Sequence, residues 1–334
     1  MKKFLLFTLV ALLISACAPA QQTPSELTPV DVCFTAPSGT QATGFYALEK
    51  GYFEKHGLQV NLVQISGGPK GVTAMVSGDV QICQIAGSAV INAAAAGQDL
   101  VLVAGLYNTF PSVLFAQPGI NSIDDLRGKT IGVSATGTAS EVAARLLLQE
   151  VGLDPDKDVV LLNMGEESER VLAMKAGQIN AIFVTPPFTH ILAESGYPAL
   201  LDMADINIPF AHTAIATSRK FIAENRPVVL AFMKAIIEAS HAMKNNPDEA
   251  KGVLAKYTGL DPVENSADLE DTYQNVILPY LQDVPYPSLE ALQTLMTVAE
   301  QTNPSVANLT PEQLVDMSIV KELEDSGFIN SVLK

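Results

Sequence analysis

The sequence predicts an α/β protein of two lobes, each a mostly parallel sheet flanked by helices, joined by two crossover segments. Three observations carry this reading. Apolar strand-like runs alternate with helical stretches, the alternation restarts near residue 113, and the chain returns to its first unit near residue 213. Residues 17–334 exceed what one core usually holds, since single cores stop growing beyond about 250–300 residues. A hydrophobic content of 48% supplies enough apolar material for two.

In the first unit, Val30 to Ala36 is an apolar-rich strand, and the loop PSGTQATG (37–44) enters a helix that runs to Lys50 and stops at Gly51. Val60 to Ile65 is the second strand. Ser66-Gly67-Gly68-Pro69 then sets a proline where a first helical turn accepts one. Val80 to Ala86 is the third strand, with Ser88 the expected N-cap of an Ala-rich helix ending at Gly97. Val101 to Leu106 is the fourth. This β-α-β order with short loops is what a parallel sheet covered by helices requires.

The second unit begins after Val113 to Ala116, where Pro118-Gly119 punctuates the chain and SIDDLRGKTIGV (122–133) gives a short capped helix and a new strand. Thr138 and Glu141 have the T-x-x-E spacing of a capping box, and the helix they open ends at Gly152. Val159 to Asn163 is a strand, followed by a helix ending at Gly177, the strand Ile179 to Val184, and a helix from Thr185-Pro186 to Gly196. Thr213 to Thr217 is strand-like again, and RPVVLAFMKAIIEASHAMK (226–244) has sustained helical periodicity. Residues 30–115 with 213–334 therefore form the first lobe and 116–212 the second, with crossovers at 113–118 and 209–214 serving as hinges.

The N-terminus reads as a targeting segment. Lys2 and Lys3 precede an apolar run, Phe4 to Ile14, too short for the roughly 20 residues a bilayer-crossing helix needs. Residues 1–16 are expected to be a signal peptide and 17–29 (through APAQQTPSELTP) a flexible tether. The stretch Leu13-Ile14-Ser15-Ala16-Cys17 resembles the bacterial lipobox, which implies a diacylated Cys17 as first mature residue and a lipid-anchored location at the cell surface or in the periplasm.

Charge narrows the partners. The chain carries 20 Lys+Arg against 36 Asp+Glu, a net charge of −16 that becomes −18 once Lys2 and Lys3 leave with the leader. Nucleic acid and anionic headgroups are thereby excluded as expected partners. Of three cysteines, lipidation leaves Cys33 and Cys83, too few for a disulfide framework or a cysteine-rich zinc site. They fall in the first and third strands, so a bond between them is conceivable if their Cα atoms approach closely, and two buried free thiols are the alternative.

Ligands of open α/β sheets lie beyond the carboxyl ends of strands, where helix N-termini bring unpaired N–H donors. Small polar residues gather at such ends: Ser66-Gly67-Gly68, Gly87-Ser88, Ser134 through Thr138 with Thr136 and Gly137, and Thr185-Pro186, with Ser38, Thr40 and Gln41 forming a further rim. Ordinary helix capping competes for each. Ser134 and Thr136 are favoured over Thr138, which is committed as a cap. The Ser88 hydroxyl meets the same conflict, leaving the amides of Ser88 and Ala89 as donors. The sequence has no Trp, so stacking falls to Phe and Tyr: Phe45, Tyr107, Phe110 and Phe188 are the candidates, with core packing the competing reading. His212, at the second crossover, is a further candidate. No Lys, Arg, Asp or Glu occurs in 37–43, 86–88, 134–138 or 185–188. A neutral heterocycle, or a monoanion held by helix ends and hydroxyls, suits that setting.

Five blocks, GFYALEKGYFEKHGLQVNLV (44–63), VSGDVQICQIAGSAVINAAAAGQ (76–98), IDDLRGKTIGV (123–133), VLAMKAGQINAIFVTPPF (171–188) and SRKFIAENRPVVLAFMKAIIEA (218–239), together resemble the nitrate/sulfonate/taurine and thiamine-pyrimidine-precursor substrate-binding family. The resemblance covers nearly the whole chain after the leader. It implies a type II periplasmic-binding-protein fold, a small organic ligand between the lobes (a pyrimidine precursor, flavin, aromatic carboxylate or sulfonate), and delivery to an ABC permease and its ATPase by a monomeric receptor without cofactor or metal. At 185–186 Thr-Pro stands where many relatives carry Glu-Pro, so a ligand contact from that acid is absent. An enzyme like the related pyrimidine synthases is one alternative, but their cysteine-rich motif has no counterpart here. The four histidines fall in no H-E-x-x-H pattern and there is no G-x-S-x-G elbow. A ligand sensor without transport is the other alternative.

Overall fold

The computed structural model describes residues 26–334 apart from 204 and 207, so the leader, Cys17 and most of the tether lie outside the described residues. Among the described residues ten strands form two five-stranded sheets. The first sheet holds β1 (Thr28–Phe34), β2 (Leu58–Gln64), β3 (Ile82–Ile85), β4 (Leu100–Tyr107) and β10 (Thr213–Ser218), in the order β2-β1-β3-β10-β4. The second holds β5 (Val113–Ala116), β6 (Thr130–Val133), β7 (Val160–Asn163), β8 (Ala181–Val184) and β9 (Ala199–Asp202), in the order β7-β6-β8-β5-β9.

Each sheet has a parallel half and an inserted antiparallel strand. β1 runs parallel to β2 and β3, whereas β10 is antiparallel to both its neighbours, β3 and β4. In the second sheet β6 runs parallel to β7 and β8, whereas β5 is antiparallel to β8 and β9. The strand at 113–116 therefore belongs wholly to the second sheet. The chain crosses at 108–112 and returns at 203–212, which moves the first crossover upstream of the expected 113–118. Every residue of β4 is buried although it lies at a sheet edge. The C-terminal segment covers that edge: Gly105 donates to Pro285, Gln282 to the Leu106 carbonyl, and Asp316 to the Leu102 carbonyl.

Helices cover the sheets: α1 (Ala42–Glu49), α2 (Tyr52–Lys55), α3 (Gly68–Ser77), α4 (Gly87–Ala95), α5 (Ala139–Glu150), α6 (Glu167–Lys175), α7 (Phe188–Glu194) and the long α8 (Arg219–Asn245). Predicted stops hold where glycine supplies a left-handed residue, as at Gly152 (φ 77°) and Gly177 (φ 71°). The helix expected from 226 starts earlier, at Arg219, capped by the Ser218 hydroxyl, which accepts from the Phe221 amide at 3.0 Å. It kinks at Asn225, which leaves helical geometry immediately before the turn containing Pro227. A C-terminal helical region follows, including α9 (Pro247–Thr258), α10 (Ser266–Thr272), a π turn at Tyr273–Ile277, α11 (Leu278–Tyr280) and α12 (Leu289–Thr302).

Two capping expectations are corrected. Thr138 is the N-cap of α5, but its hydroxyl donates to the Ala135 carbonyl at 2.6 Å, and Glu141 accepts from Gly137 rather than from the cap amide. α4 starts one residue before Ser88, with Ala86 as N-cap, so the Ser88 hydroxyl is free for other work. Cys33 and Cys83 stand opposite each other in the β1–β3 register, 4.4 Å apart at Cα, and form a fully buried disulfide. Among the described residues no helix is long and apolar enough to cross a membrane.

Candidate ligand-binding site

The carboxyl ends of both sheets face one cavity of about 100 Å³. A single water needs only about 10–15 Å³ on that measure, so the space suits a small organic molecule. From the first sheet come Thr35, Ser38, Thr40 and Gln41 after β1, Gly67 and Gly68 at the start of α3, Ala86 and Ser88 at α4, and His212 before β10. From the second come Phe110 and Ser112 on the crossing segment, Ser134 and Thr138–Ser140 at α5, Glu166, Glu167 and Arg170 at α6, and Phe183 and Thr185 at the end of β8. Four helix starts thus converge, as the strand-end rule requires.

The first wall is fixed by its own hydrogen bonds. The Gln41 amide accepts from the Thr35 backbone N–H at 3.0 Å and donates to the Thr35 hydroxyl at 2.9 Å, closing the 35–41 loop. Ser38 and Thr40 hydroxyls meet at 3.1 Å, and Thr40 meets His212 Nε2 at 3.1 Å. Burial pushes the His212 imidazole down to about 3, so it is neutral at ordinary pH, and its Nδ1 is buried without a protein partner. Phe110 lies between the walls, 4.7 Å from the His212 ring, 4.9 Å from Phe210 and 6.3 Å from Phe183. Together these rings form one apolar strip.

The second wall carries charge. Gly165 and a Glu166–Glu169 capping box open α6. At the first position of the helix, Glu167 accepts from both the Thr185 backbone N–H and the Thr185 hydroxyl, the latter at 3.1 Å to Oε2. Arg170, only 4% exposed, donates through Nη1 to the Gly165 carbonyl at 2.8 Å and through Nη2 to the Phe183 carbonyl at 3.5 Å. Its Nε has no protein partner. Burial raises the Glu167 carboxyl and lowers the Arg170 guanidinium, and the attraction between the two opposes both shifts. Gly132 of β6 lets the neighbouring isoleucines pack close to the strand: a Cβ there would stand 2.6 Å from Ile179 and 3.1 Å from Ile182.

The family profile described as NMT1/THI5 like matches residues 40–250. The chain belongs to that family. A protein of Brucella abortus named as a binding protein is 30% identical over 244 residues, 71% of this chain and 72% of its own. The riboflavin-binding protein RibY of Chloroflexus aurantiacus is 26% identical over 72% of this chain and 74% of its own. The crystal structure of the periplasmic nitrate-binding protein NrtA from Synechocystis shares the fold with a TM-score of 0.74 at 14% identity, over 92% of this chain and 91% of that one.

In this NMT1/THI5-like chain the candidates read from the sequence divide. Ser38, Thr40, Gln41, Gly67, Ser88, Phe110, Ser134, Thr138, Thr185 and His212 line the cavity. Phe45 does not. It stacks on Tyr257 at 4.4 Å and is fully buried in the first-sheet core. Tyr107 is likewise fully buried, in register with Thr213. Gly87 donates to the Ala211 carbonyl at 2.9 Å, and a Cβ there would lie 2.8 Å from Ala211, so it packs the return segment against α4. Thr136 is exposed, and Phe188 packs beside Phe115 and Leu192 at α7. Gly137 stands outside the lining but accepts the Ser88 hydroxyl at 3.2 Å.

Thr35, Ser112, Ser140, Phe183, Glu166, Glu167 and Arg170 also line the cavity and are absent from the candidates that the sequence offered. The candidate loops lack charge as read, but α6 brings an acid and a base to them. An acid does meet Thr185, supplied by Glu167 instead of position 185. A signal for Arg170 was present: it shares the stripe of Ala173 and Met174, spaced i, i+3, i+4, and that stripe is the buried face of α6.

Proposed function

We propose that this chain is the extracytoplasmic receptor of an ABC importer, a monomer that closes on one small planar organic molecule and presents it to a permease and its ATPase. The observation that carries the reading is the cavity between the two sheets, with four helix starts and the Phe110–His212 pair facing it from both sides. Membership of the NMT1/THI5-like family and relatives named as binding proteins, one for riboflavin, support it. Cys17 is proposed as the lipid anchor, on the strength of the apolar run and the lipobox before it. Cys17→Ala should release or misprocess the protein, and an unchanged membrane-bound form would sink that part.

One catalytic reading would use the Ser38–Thr40–His212 hydroxyl-to-imidazole chain. An imidazole pushed down to about 3 is a poor general base at neutral pH, and Nδ1 has no carboxylate to orient it. Binding without turnover is the better account. Native mass spectrometry of protein purified from its own host should find one small molecule bound. Adding it back at a hundredfold excess over Kd should stabilise the fold by about 2.7 kcal/mol. Recovery of the added compound unchanged supports the receptor, and its conversion to product would overturn it.

A further inference from the structure

We infer that a groove along β9 is a docking surface for an extended segment of a partner protein that carries lysine or arginine at alternate positions. The segment adds as a further strand to the open edge of the second sheet. The groove lies outside the cavity between the sheets, beside the segments where the chain crosses, and includes Pro111 from one crossing and Asp205 from the other. The inference goes beyond the receptor reading and does not depend on which molecule the cleft holds.

β9 ends the order β7-β6-β8-β5-β9, and among the described residues no strand pairs with its outer side. All four of its residues, Ala199–Asp202, line a groove of about 860 Å³, far larger than the cavity of about 100 Å³ between the sheets. Side chains alternate across a strand, so a groove that meets four in a row runs along the strand's edge and not over one face. Such an edge offers main-chain donors and acceptors to a chain laid beside it. Val113 and Phe115 of β5 give the groove an apolar floor. The facing wall is the π turn and α11, through Asn275, Val276 and Tyr280, so an occupant contacts both halves of the molecule.

Charge selects the occupant. Asp202, Asp205 and Asp271 line the groove, and no Lys or Arg does. Asp271 accepts from the Thr189 hydroxyl at 3.1 Å and from Asn275 Nδ2 at 2.7 Å, two neutral donors that leave its charge unbalanced. Burial raises the ionisation of the Tyr280 hydroxyl, and the charges of Asp202 and Asp205 raise it further, as a negative local field requires. The whole chain, with 36 acids against 20 bases, draws a basic segment toward it and repels an acidic one. A second copy of this chain is disfavoured for the same reason, since an isologous contact would bring its own three acids into the same groove.

Three fluorescein-labelled peptides test this by anisotropy against the purified wild-type protein: KVKVKVK, EVEVEVE, and KVKVKVK methylated on every main-chain nitrogen, which keeps the charge but donates no ladder hydrogen bond. KVKVKVK should bind and EVEVEVE should not. Loss of the ladder donors should weaken binding at least about tenfold. Raising salt from about 50 to about 300 mM should weaken KVKVKVK at least about threefold, through screening of the acids. Asp202→Asn with Asp205→Asn should weaken it to a similar degree, with the Tm of that double variant checking its fold. A benzophenone at the central valine should cross-link to residues in 199–205 or 271–280. No binding of KVKVKVK, a methylated peptide as good as the parent, an unaffected double variant, or cross-links only elsewhere overturns the inference. Dimers seen by sedimentation that the peptide disperses would assign the groove to a second copy and overturn it too. The cleft plays no part in these measurements, so native mass spectrometry judges the receptor reading separately.

Discussion

The Ser88 hydroxyl, at the start of α4 beside the first sheet, donates to the Gly137 carbonyl on the second-sheet side, 3.2 Å away. It ties the two halves directly. On another side of the cleft, Thr189 donates to Asp271 at 3.1 Å. Removing one neutral hydrogen bond is worth about 0.5–1.5 kcal/mol. Ser88→Ala should therefore shift the molecule toward an open form and weaken ligand roughly two- to tenfold. Small-angle scattering with calorimetry checks it, and unchanged affinity with an unchanged radius of gyration would count against the tie.

Tyr107 illustrates the opposite case. Its ring is fully buried and its hydroxyl finds no protein partner among the described residues, so burial drives its ionisation far upward. Tyr107→Phe removes the unsatisfied group at constant shape. Urea unfolding should show stability unchanged or raised by up to about 1 kcal/mol, with ligand affinity unaltered. A loss of stability would show that the hydroxyl is satisfied by something else, such as internal water.

The Cys33–Cys83 bond closes a loop of 50 residues. In the chain-entropy treatment such a cross-link stabilises by about 4 kcal/mol, mainly by restricting the unfolded chain. The Cys33→Ala/Cys83→Ala double variant should unfold at clearly lower denaturant concentration. Oxidised wild type should release no thiols on denaturation without reductant. Two titratable thiols in protein matured outside the cell would contradict the bond.

His212 makes stability depend on pH in a defined window. Its folded value, about 3, lies below the ordinary 6.5 because burial disfavours the charged ring. Between those values the unfolded chain binds a proton that the folded chain does not, so stability falls as pH drops from 6.5 toward 3. The slope from this one group is at most about 1.4 kcal/mol per pH unit. Above pH 6.5 it contributes none. His212→Gln should flatten the acid limb of a midpoint-versus-pH plot, and parallel curves for the two proteins would refute the assignment.

Periodicity and punctuation made the strands legible, because buried parallel strands read as short apolar runs and helices ended at glycines that supply left-handed geometry. β9 escaped because Ala199–Asp202 is a four-residue, half-exposed edge strand with no alternation to announce it. Around the cavity, loops with small polar residues were legible, whereas α6, legible as a helix ending at Gly177, was not legible as part of the lining, since a helix face shows its direction only once the sheet beneath it is placed. Phe45 and Tyr107 misled for the same reason. Proximity in sequence to a loop says nothing about which side of the sheet a ring enters.

The insertion of β10 between β3 and β4 also sets an order of assembly. The strands of the second sheet, β5 to β9, come from one continuous stretch, 113–202, and contain every pairing that sheet needs. The first sheet waits for residues 213–218 before β3 and β4 have anything to pair with on their facing edges. A chain emerging from its N-terminus therefore has its second half-structure ready to close while the first still offers open edges. The cleft, which needs His212 and the return segment, therefore cannot form before the whole stretch of the second sheet has been made.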